Sequence, residues 1–242
     1  MKIINKIIKA ILQKFSRVIF HLIPAELYLF FKIKEKDIHA HYRENEILQC
    51  FRHFEKHLQN AAHLDAINIR KYAIKKSLLN DKEKNKFYLE FGVWKGTSIN
   101  FFSDYVKTIY GFDSFEGLPH DWEGQHLTKG AFNLDGKIPK MKSNVIIVKG
   151  YIENTLENFL NVHNPKINFV HVDVDTYKSS LYILKSIKSY LNKGAIIIFD
   201  ELYNYTGWRN GEYKALQEVF NENEYTFRAF STNKTQVVIQ LN

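Results

Sequence analysis

The chain has 242 residues, of which 45% are hydrophobic and 15% aromatic, so it can bury a core and is not an intrinsically disordered chain. Its formal net charge of +8 permits attraction to anionic partners but identifies none of them. The single cysteine, Cys50, excludes an intrachain disulfide and favours a reducing, cytoplasmic location.

Residues 1–23 have the pattern of a basic amphipathic helix, with isoleucines at helical spacing and lysines largely on the other face. The charges interrupt the apolar region too often for a secretory signal, and no uncharged run approaches the ~20 residues that span a bilayer. Two interpretations stay open. The helix docks on the protein or on a second copy as a homo-oligomer, or it makes a peripheral membrane contact. Unchanged liposome co-sedimentation after deletion of residues 1–23 would end the membrane interpretation.

The pattern predicts a basic N-terminal helical segment, a helical cap region and an α/β domain, at residues 1–34, 35–86 and 87–242. Within the cap region, amphipathic helices are predicted at 43–60 and 62–79. His53 and His57 are four residues apart on the first of these helices. No further ligand motif follows them, so we expect no metal site there.

From residue 87 onward, short apolar runs alternate with helical patterns, as in successive βα units. Strands are predicted at 87–92, 108–113, 144–149, 167–173 and 194–200. Helices are predicted at about 97–106, 153–161, 177–191 and 210–222, the third closed by Lys193 and Gly194. The runs 226–230 and 236–241 are joined by a link too short for a crossover helix, which predicts an antiparallel hairpin. The predicted fold is therefore an α/β, Rossmann-like class I methyltransferase sheet of seven mostly parallel strands.

Acidic residues stand at the ends of four predicted parallel strands: Glu90, Asp113, Asp173 with Asp175, and Asp200 with Glu201. In an open parallel sheet, ligands bind outside the carboxyl ends of the strands. Burying several carboxylates there without partners would cost free energy. A cofactor or a metal ion is therefore expected at this edge.

The first βα turn contains Gly92 and Gly96, but Trp94 occupies the position of the central glycine of a dinucleotide fingerprint. That glycine lets the backbone approach a pyrophosphate, a group that S-adenosylmethionine lacks. Asp113 follows Gly92 by 21 residues, a spacing suited to binding ribose hydroxyls. Alternatively, the glycines only allow a tight turn. We predict S-adenosylmethionine contacts at Glu90, Gly92, Gly96, Thr97, Ser98, Asp113, Ser114, Gly150 and Tyr151.

The acids of the fourth and fifth strands offer only oxygen ligands, which favour Mg²⁺ or Ca²⁺ over Zn²⁺. Methyl transfer to a hydroxyl benefits from a cation that stabilises the alkoxide and from a base that takes the proton. Asp173 and Asp175 begin on one face of an extended segment, and a turn between them would let one ligate while the other faces the substrate. The alternative for Asp200 and Glu201 is that they are surface acids that cap a helix or loop.

The chain resembles the macrocin O-methyltransferase family, whose members are metal-dependent sugar O-methyltransferases. The resemblance covers roughly residues 85–242 and lies in four segments: Tyr88–Val93 (YLEFGV), Phe112–Pro119 (FDSFEGLP), Asp173–Tyr177 (DVDTY) with Ser179, and Phe199–Glu201 (FDE).

The resemblance implies that Asp173, Asp200 and Glu201 hold Mg²⁺, that Asp175 is the general base, and that Asp113 binds the ribose. An aspartate is usual in the family at the position of Glu201, and the longer glutamate side chain could still ligate.

Two sets of mainly aromatic residues are further candidates for the acceptor site. Trp122, Lys129 and Phe132 belong to an aperiodic stretch, 114–143, of the length of a binding loop, and either hold a sugar or anchor the loop. After the fifth strand come residues that form either an acceptor wall or packing for the last crossover: Tyr203, Tyr205, Trp208 and Arg209.

Together these features predict a cytoplasmic, S-adenosylmethionine-dependent O-methyltransferase that uses Mg²⁺. The expected acceptor is a sugar hydroxyl on a glycan, a sugar nucleotide or a glycosylated metabolite. Two rivals are a nicotinamide-dependent oxidoreductase on a similar sheet and a non-enzymatic, membrane-associated module. No nucleic-acid partner is expected, because positive charge without a reading motif is weak evidence.

Overall fold

The computed structural model describes residues 37–122 and 127–242. The predicted helix at 1–23 and the segment boundary at residue 34 lie outside these ranges. The chain divides into two units, residues 1–45 and 46–242. In the described part of the first unit, Asp37 caps the first helix, its Oδ1 accepting the Ala40 N–H at 2.8 Å.

The described residues form eight strands and six α-helices. The strands are β1 (Ala62–Leu64), β2 (Phe87–Phe91), β3 (Ile109–Asp113), β4 (Val145–Lys149), β5 (Ile167–Val172), β6 (Leu191–Phe199), β7 (Tyr225–Ser231) and β8 (Val237–Leu241). The helices are α1 (Ile38–Leu58), α2 (Ala66–Leu78), α3 (Thr97–Ser103), α4 (Ile152–His163), α5 (Tyr177–Ile187) and α6 (Glu212–Val219). Among these helices, none has the length and apolar character needed to cross a bilayer.

The strands form one sheet in the order β1-β7-β8-β6-β5-β2-β3-β4. β8 pairs antiparallel with both of its neighbours, and all other pairs are parallel. This confirms the predicted Rossmann-like sheet with a C-terminal antiparallel hairpin. The strand order reverses between β2 and β5, which places a crevice at their carboxyl ends.

The sheet has one strand more than the sequence pattern predicts, because that pattern indicates a helix over 62–79, including residues 62–64. These residues instead pair with Ala229–Ser231 at the sheet edge. Asp65 follows them and accepts the N–H groups of Ile67 and Asn68 with its side chain, so that helix α2 begins only at Ala66.

The end of the helix predicted at 177–191 also differs. Helix α5 ends at Ile187, a 3₁₀ turn follows, and β6 already begins at Leu191. Leu191 pairs with Ile167 of β5, so pairing within the sheet overrides the local helical pattern. Gly194 therefore lies within a strand and does not close the helix.

Helices cover both faces of the sheet. On one face, α2 and α3 bury side chains such as Ile74 and Phe102 against Phe169. On the other, α4, α5 and α6 pack against residues such as Phe91 and Val170. Side chains alternate between faces along each strand, so Glu90 and His171 point to the α2–α3 side.

Candidate active site

A cavity of about 480 Å³ opens at the carboxyl ends of the central strands. Its volume lies in the range of small-molecule and cofactor sites. Most of the predicted site residues line it: Gly92, Thr97, Ser98, Asp113, Ser114, Tyr151, Asp173, Asp175, Asp200 and Glu201. Glu90, Gly96 and Gly150 are not among the lining residues.

Asp113, which follows Gly92 by 21 residues, contacts the glycine turn directly. Its Oδ2 accepts the N–H groups of Val93 at 2.8 Å and Trp94 at 2.7 Å, and its Oδ1 accepts that of Phe115 at 2.6 Å. Because a carboxylate oxygen can accept two hydrogen bonds, Oδ1 keeps one acceptor position. Trp94 itself adopts a left-handed conformation (φ 45°), and its side chain lines the cavity.

Glu90 is fully buried beneath the cavity. Its Oε1 accepts the Ser98 hydroxyl at 2.9 Å, and its Oε2 lies 3.0 Å from His171 Nδ1. The residue thus supports the cavity floor instead of lining the space that a cofactor would fill. Gly150 likewise supports the site from behind, since its N–H donates to the Asp113 carbonyl at 3.0 Å.

Two overlapping sets of side chains have donor atoms close enough together for a metal ion. One consists of Asp173, Asp175 and Glu201, the other of His171, Asp173 and Asp200, with the donor atoms of each within 4.8 Å of one another. The family resemblance implies a different grouping, in which Asp173, Asp200 and Glu201 hold the metal ion and Asp175 is the general base. Asp175 adopts φ 62°, a region that non-glycine residues rarely occupy, and its carboxylate comes close to those of its neighbours.

The acids perturb one another because they share a buried space. Burial, followed by the charges of Asp200 and Asp113, raises the pKa of Asp175 to about 7. Burial and then the charge of Asp200 also raise the pKa values of Asp173 and Glu201 well above the usual range. Such perturbed groups gathered in a cleft are typical of functional sites.

Asp200 differs from its neighbours because positive and polar groups surround it. Burial alone would raise its pKa, but His171, Arg70 and Gln236 hold that pKa well below its usual range. Arg70 donates from Nη2 to Asp200 Oδ1 at 3.1 Å, and the Gln236 amide donates to the same oxygen. Asp200 is therefore ionised at neutral pH.

Sequence reasoning missed three of these partners. His171 carried a signal, since it is one of two polar residues in strand β5, the other being Asn168. Arg70 comes from helix α2 and Gln236 from the residue before β8, and neither belongs to a motif that points to the site.

The predicted acceptor-site residues differ in whether they line the cavity. Trp122 and Phe132 line the cavity, whereas Lys129 is exposed and is not among the lining residues. The four residues proposed as an acceptor wall are also absent from the lining: Tyr203, Tyr205, Trp208 and Arg209. Trp208 is 2% exposed and packs on Phe54, which favours the packing interpretation.

One protein family and several solved structures resemble part of the chain. Residues 89–202 match the protein family described as "Methyltransferase domain". The matched segment is slightly less than half of the 242-residue chain. No curated protein matches the chain.

Solved structures share the fold at low sequence identity. The calicheamicin methyltransferase CalS11 aligns with a TM-score of 0.57 and 22% identity, covering 70% of this chain and 77% of its own. A second CalS11 structure, described as a TDP-rhamnose 3'-O-methyltransferase, aligns at 0.51 and 21%, covering 70% and 77%. The O-methyltransferase NovP aligns at 0.53 and 15%, covering 73% and 79%. At these identities the likeness shows the class I methyltransferase fold.

Proposed function

We propose that this protein is an S-adenosylmethionine-dependent O-methyltransferase that uses a divalent cation and acts on a sugar hydroxyl. The observation that carries the proposal is that one cavity contains both the glycine turn with Asp113 and the acids Asp173, Asp175 and Asp200. A nucleoside site and a cation site side by side are what metal-assisted methyl transfer to a hydroxyl requires.

The side chains around the cavity fit both groups. Asp113 Oδ1 keeps an acceptor position for a ribose hydroxyl, and we expect Tyr151, which lines the cavity, to contact the adenine. Glu201 Oε2 is buried without a hydrogen-bond partner, as is typical of an oxygen that awaits a ligand. Oxygen donors alone would favour Mg²⁺.

The proposed chemistry is methyl transfer to an acceptor hydroxyl. S-adenosylmethionine would supply the methyl group from its sulfonium sulfur and leave as S-adenosylhomocysteine, and the cation would stabilise negative charge on the acceptor oxygen. Asp175 takes the hydroxyl proton, since it lines the cavity and its pKa of about 7 suits a general base at neutral pH. Trp122 and Phe132 provide apolar surface on which a sugar ring could stack.

The proposed acceptor is a sugar. A sugar hydroxyl on a glycan, a sugar nucleotide or a glycosylated metabolite agrees with the TDP-rhamnose named for CalS11. The resemblance to the macrocin O-methyltransferase family points the same way.

A thermal-shift comparison of S-adenosylhomocysteine with NADH tests the cofactor. We expect stabilisation by S-adenosylhomocysteine and none by NADH, because Trp94 occupies the place where a pyrophosphate would approach the turn. Stabilisation by NADH alone would favour the oxidoreductase. No response to either compound would favour a non-enzymatic module, for which residues 1–23 would be the main functional part.

A further inference from the structure

Glu90 and His171 form a buried pair on neighbouring strands. They are direct partners in the parallel register of β2 and β5, and both are 0% exposed. Glu90 Oε2 lies 3.0 Å from His171 Nδ1, while Glu90 Oε1 is engaged by the Ser98 hydroxyl. An Nδ1–H that donates to this carboxylate fixes the imidazole ring and leaves Nε2 as the atom that faces the acids.

His171 Nε2 has no hydrogen-bond partner although it is completely buried. The closest acidic oxygens are Asp200 Oδ1 at 3.6 Å, which also accepts hydrogen bonds from Arg70 and Gln236, and Asp173 Oδ2 at 4.0 Å. These separations are too long for hydrogen bonds. They do suit ligands of a single ion, because two atoms that are each ~2.1 Å from an ion lie no more than ~4.2 Å apart.

We propose that His171 Nε2 is a ligand of the divalent cation, together with Asp173 and Asp200, and that Glu90 is the carboxylate that supports the histidine. This inference rests on the proposed function, since the site belongs to the same cavity. Asp173 and Asp200 line that cavity and give an ion its way in. A histidine that binds a metal usually donates its other ring N–H to a carboxylate or carbonyl, as His171 does to Glu90.

A nitrogen ligand changes which cation the site prefers. Three carboxylates would form an oxygen-only site suited to Mg²⁺, as in the alternative set of Asp173, Asp175 and Glu201. A site with one imidazole and two carboxylates binds transition metals better, so Mn²⁺ should bind more tightly than Mg²⁺.

Electron spin-echo spectroscopy of Mn²⁺ bound to the full-length protein tests the ligand directly. In the presence of S-adenosylhomocysteine, we expect modulation from a directly coordinated ¹⁴N, which disappears on ¹⁵N-histidine labelling and is replaced by the ¹⁵N pattern. Absence of nitrogen coupling from bound Mn²⁺, or no Mn²⁺ binding, would overturn the proposal. This measurement needs no variant, so a folding defect cannot obscure it.

Calorimetric titration of variants gives a second test. His171→Gln should weaken Mn²⁺ binding at least ~10-fold and Mg²⁺ binding much less, and Glu90→Gln should weaken Mn²⁺ binding ~10-fold. The matched control is His163→Gln, an exposed histidine of α4, which should change neither affinity. An unchanged ratio of Mn²⁺ to Mg²⁺ affinity in a folded His171→Gln protein would contradict the proposal.

S-adenosylhomocysteine binding separates the two levels of inference. Nitrogen-coordinated Mn²⁺ in a protein that does not bind S-adenosylhomocysteine would support the metal site and contradict the methyltransferase proposal. Binding of S-adenosylhomocysteine together with a Mn²⁺ spectrum that shows no nitrogen coupling would support the methyltransferase proposal and contradict the histidine ligand.

Discussion

The α-carbon of Gly92 lies directly against the backbone carbonyl of Asp173. A β-carbon added at position 92 would lie 1.7 Å from that oxygen, and Gly92 itself adopts φ 85°. The Asp173 N–H in turn donates to the Phe91 carbonyl at 2.9 Å. The glycine turn and the first acid of the cation site are therefore a single packed unit, which connects the nucleoside side of the cavity with its metal side.

Replacing Gly92 by alanine should disrupt both sides of the cavity. The new methyl group cannot coexist with the Asp173 carbonyl, so the end of β5 must move. We expect a large fall in thermal stability and loss of S-adenosylhomocysteine binding by calorimetry. Gly130→Ala is the control, because Gly130 has a similar φ of 84° but no atom within 4 Å of the added carbon. It should show only the conformational strain of ~1–2 kcal/mol. Equal effects of the two substitutions would contradict the packing argument.

Asp113→Asn should weaken S-adenosylhomocysteine binding at least ~10-fold. The amide nitrogen of asparagine cannot accept hydrogen bonds, so the variant loses either the bonds from Val93 and Trp94 or the bond from Phe115. Asp135→Asn, in an exposed part of the loop, should leave the affinity unchanged. Calorimetry measures both variants, and wild-type affinity in Asp113→Asn would place the ribose site elsewhere.

Asp175→Asn should abolish methyl transfer without abolishing cofactor binding. Loss of a general base lowers kcat ~10²–10⁴-fold. The assay follows label transfer from methyl-labelled S-adenosylmethionine to a panel of sugar nucleotides and glycosides, with excess EDTA as a second condition that should stop turnover. Asp135→Asn is again the control, since Asp135 also has a positive φ, 54°. Full activity in EDTA would refute the role of the cation, and full activity of Asp175→Asn would refute its role as base.

Stability without added metal should fall as the pH rises from about 5 to 8. Burial raises the pKa values of four clustered carboxyls, which are Asp173, Asp175, Glu201 and Glu212. A raised carboxyl pKa means that the native state binds more protons than the unfolded state between the two pKa values. Its favourable contribution is therefore lost as the pH rises through the native value, which is about 7 for Asp175. His53 and His57 have lowered pKa values and oppose this trend.

Thermal melts with and without a divalent cation at pH 5 and pH 8 measure this effect. Protons compete with the cation for the same oxygens, so the cation should raise the melting temperature more at pH 8. Glu212→Gln should flatten the pH dependence, because it removes one buried acid while its side-chain oxygen can still accept the Glu201 N–H. Glu157→Gln, at an exposed position, should leave the pH dependence of stability unchanged. If the cation raises the melting temperature equally at both pH values, protons and the cation do not compete for these oxygens.

Sequence patterns located the main parts of the site because they depend on local chemistry. Short runs of β-branched and aromatic residues ended at Asp113, Asp173 and Asp200, and parallel strands bring such ends to one edge. The spacing from Gly92 to Asp113 placed those two residues together. These features follow from periodicity and chain order, which the sequence carries directly.

The tertiary structure decided what depends on register and on contacts between distant segments. Pairing of β2 with β5 sets Glu90 opposite His171, so the two buried side chains contact each other and Glu90 does not line the cavity. Packing of α2 brings Arg70 to Asp200 across 130 residues of sequence. The left-handed conformation of Asp175 accompanies the approach of its carboxylate to those of Asp173 and Glu201. The sequence by itself determined the sheet and its acidic edge, whereas the choice of donor atoms depended on strand register and backbone conformation, which only the packed fold fixes.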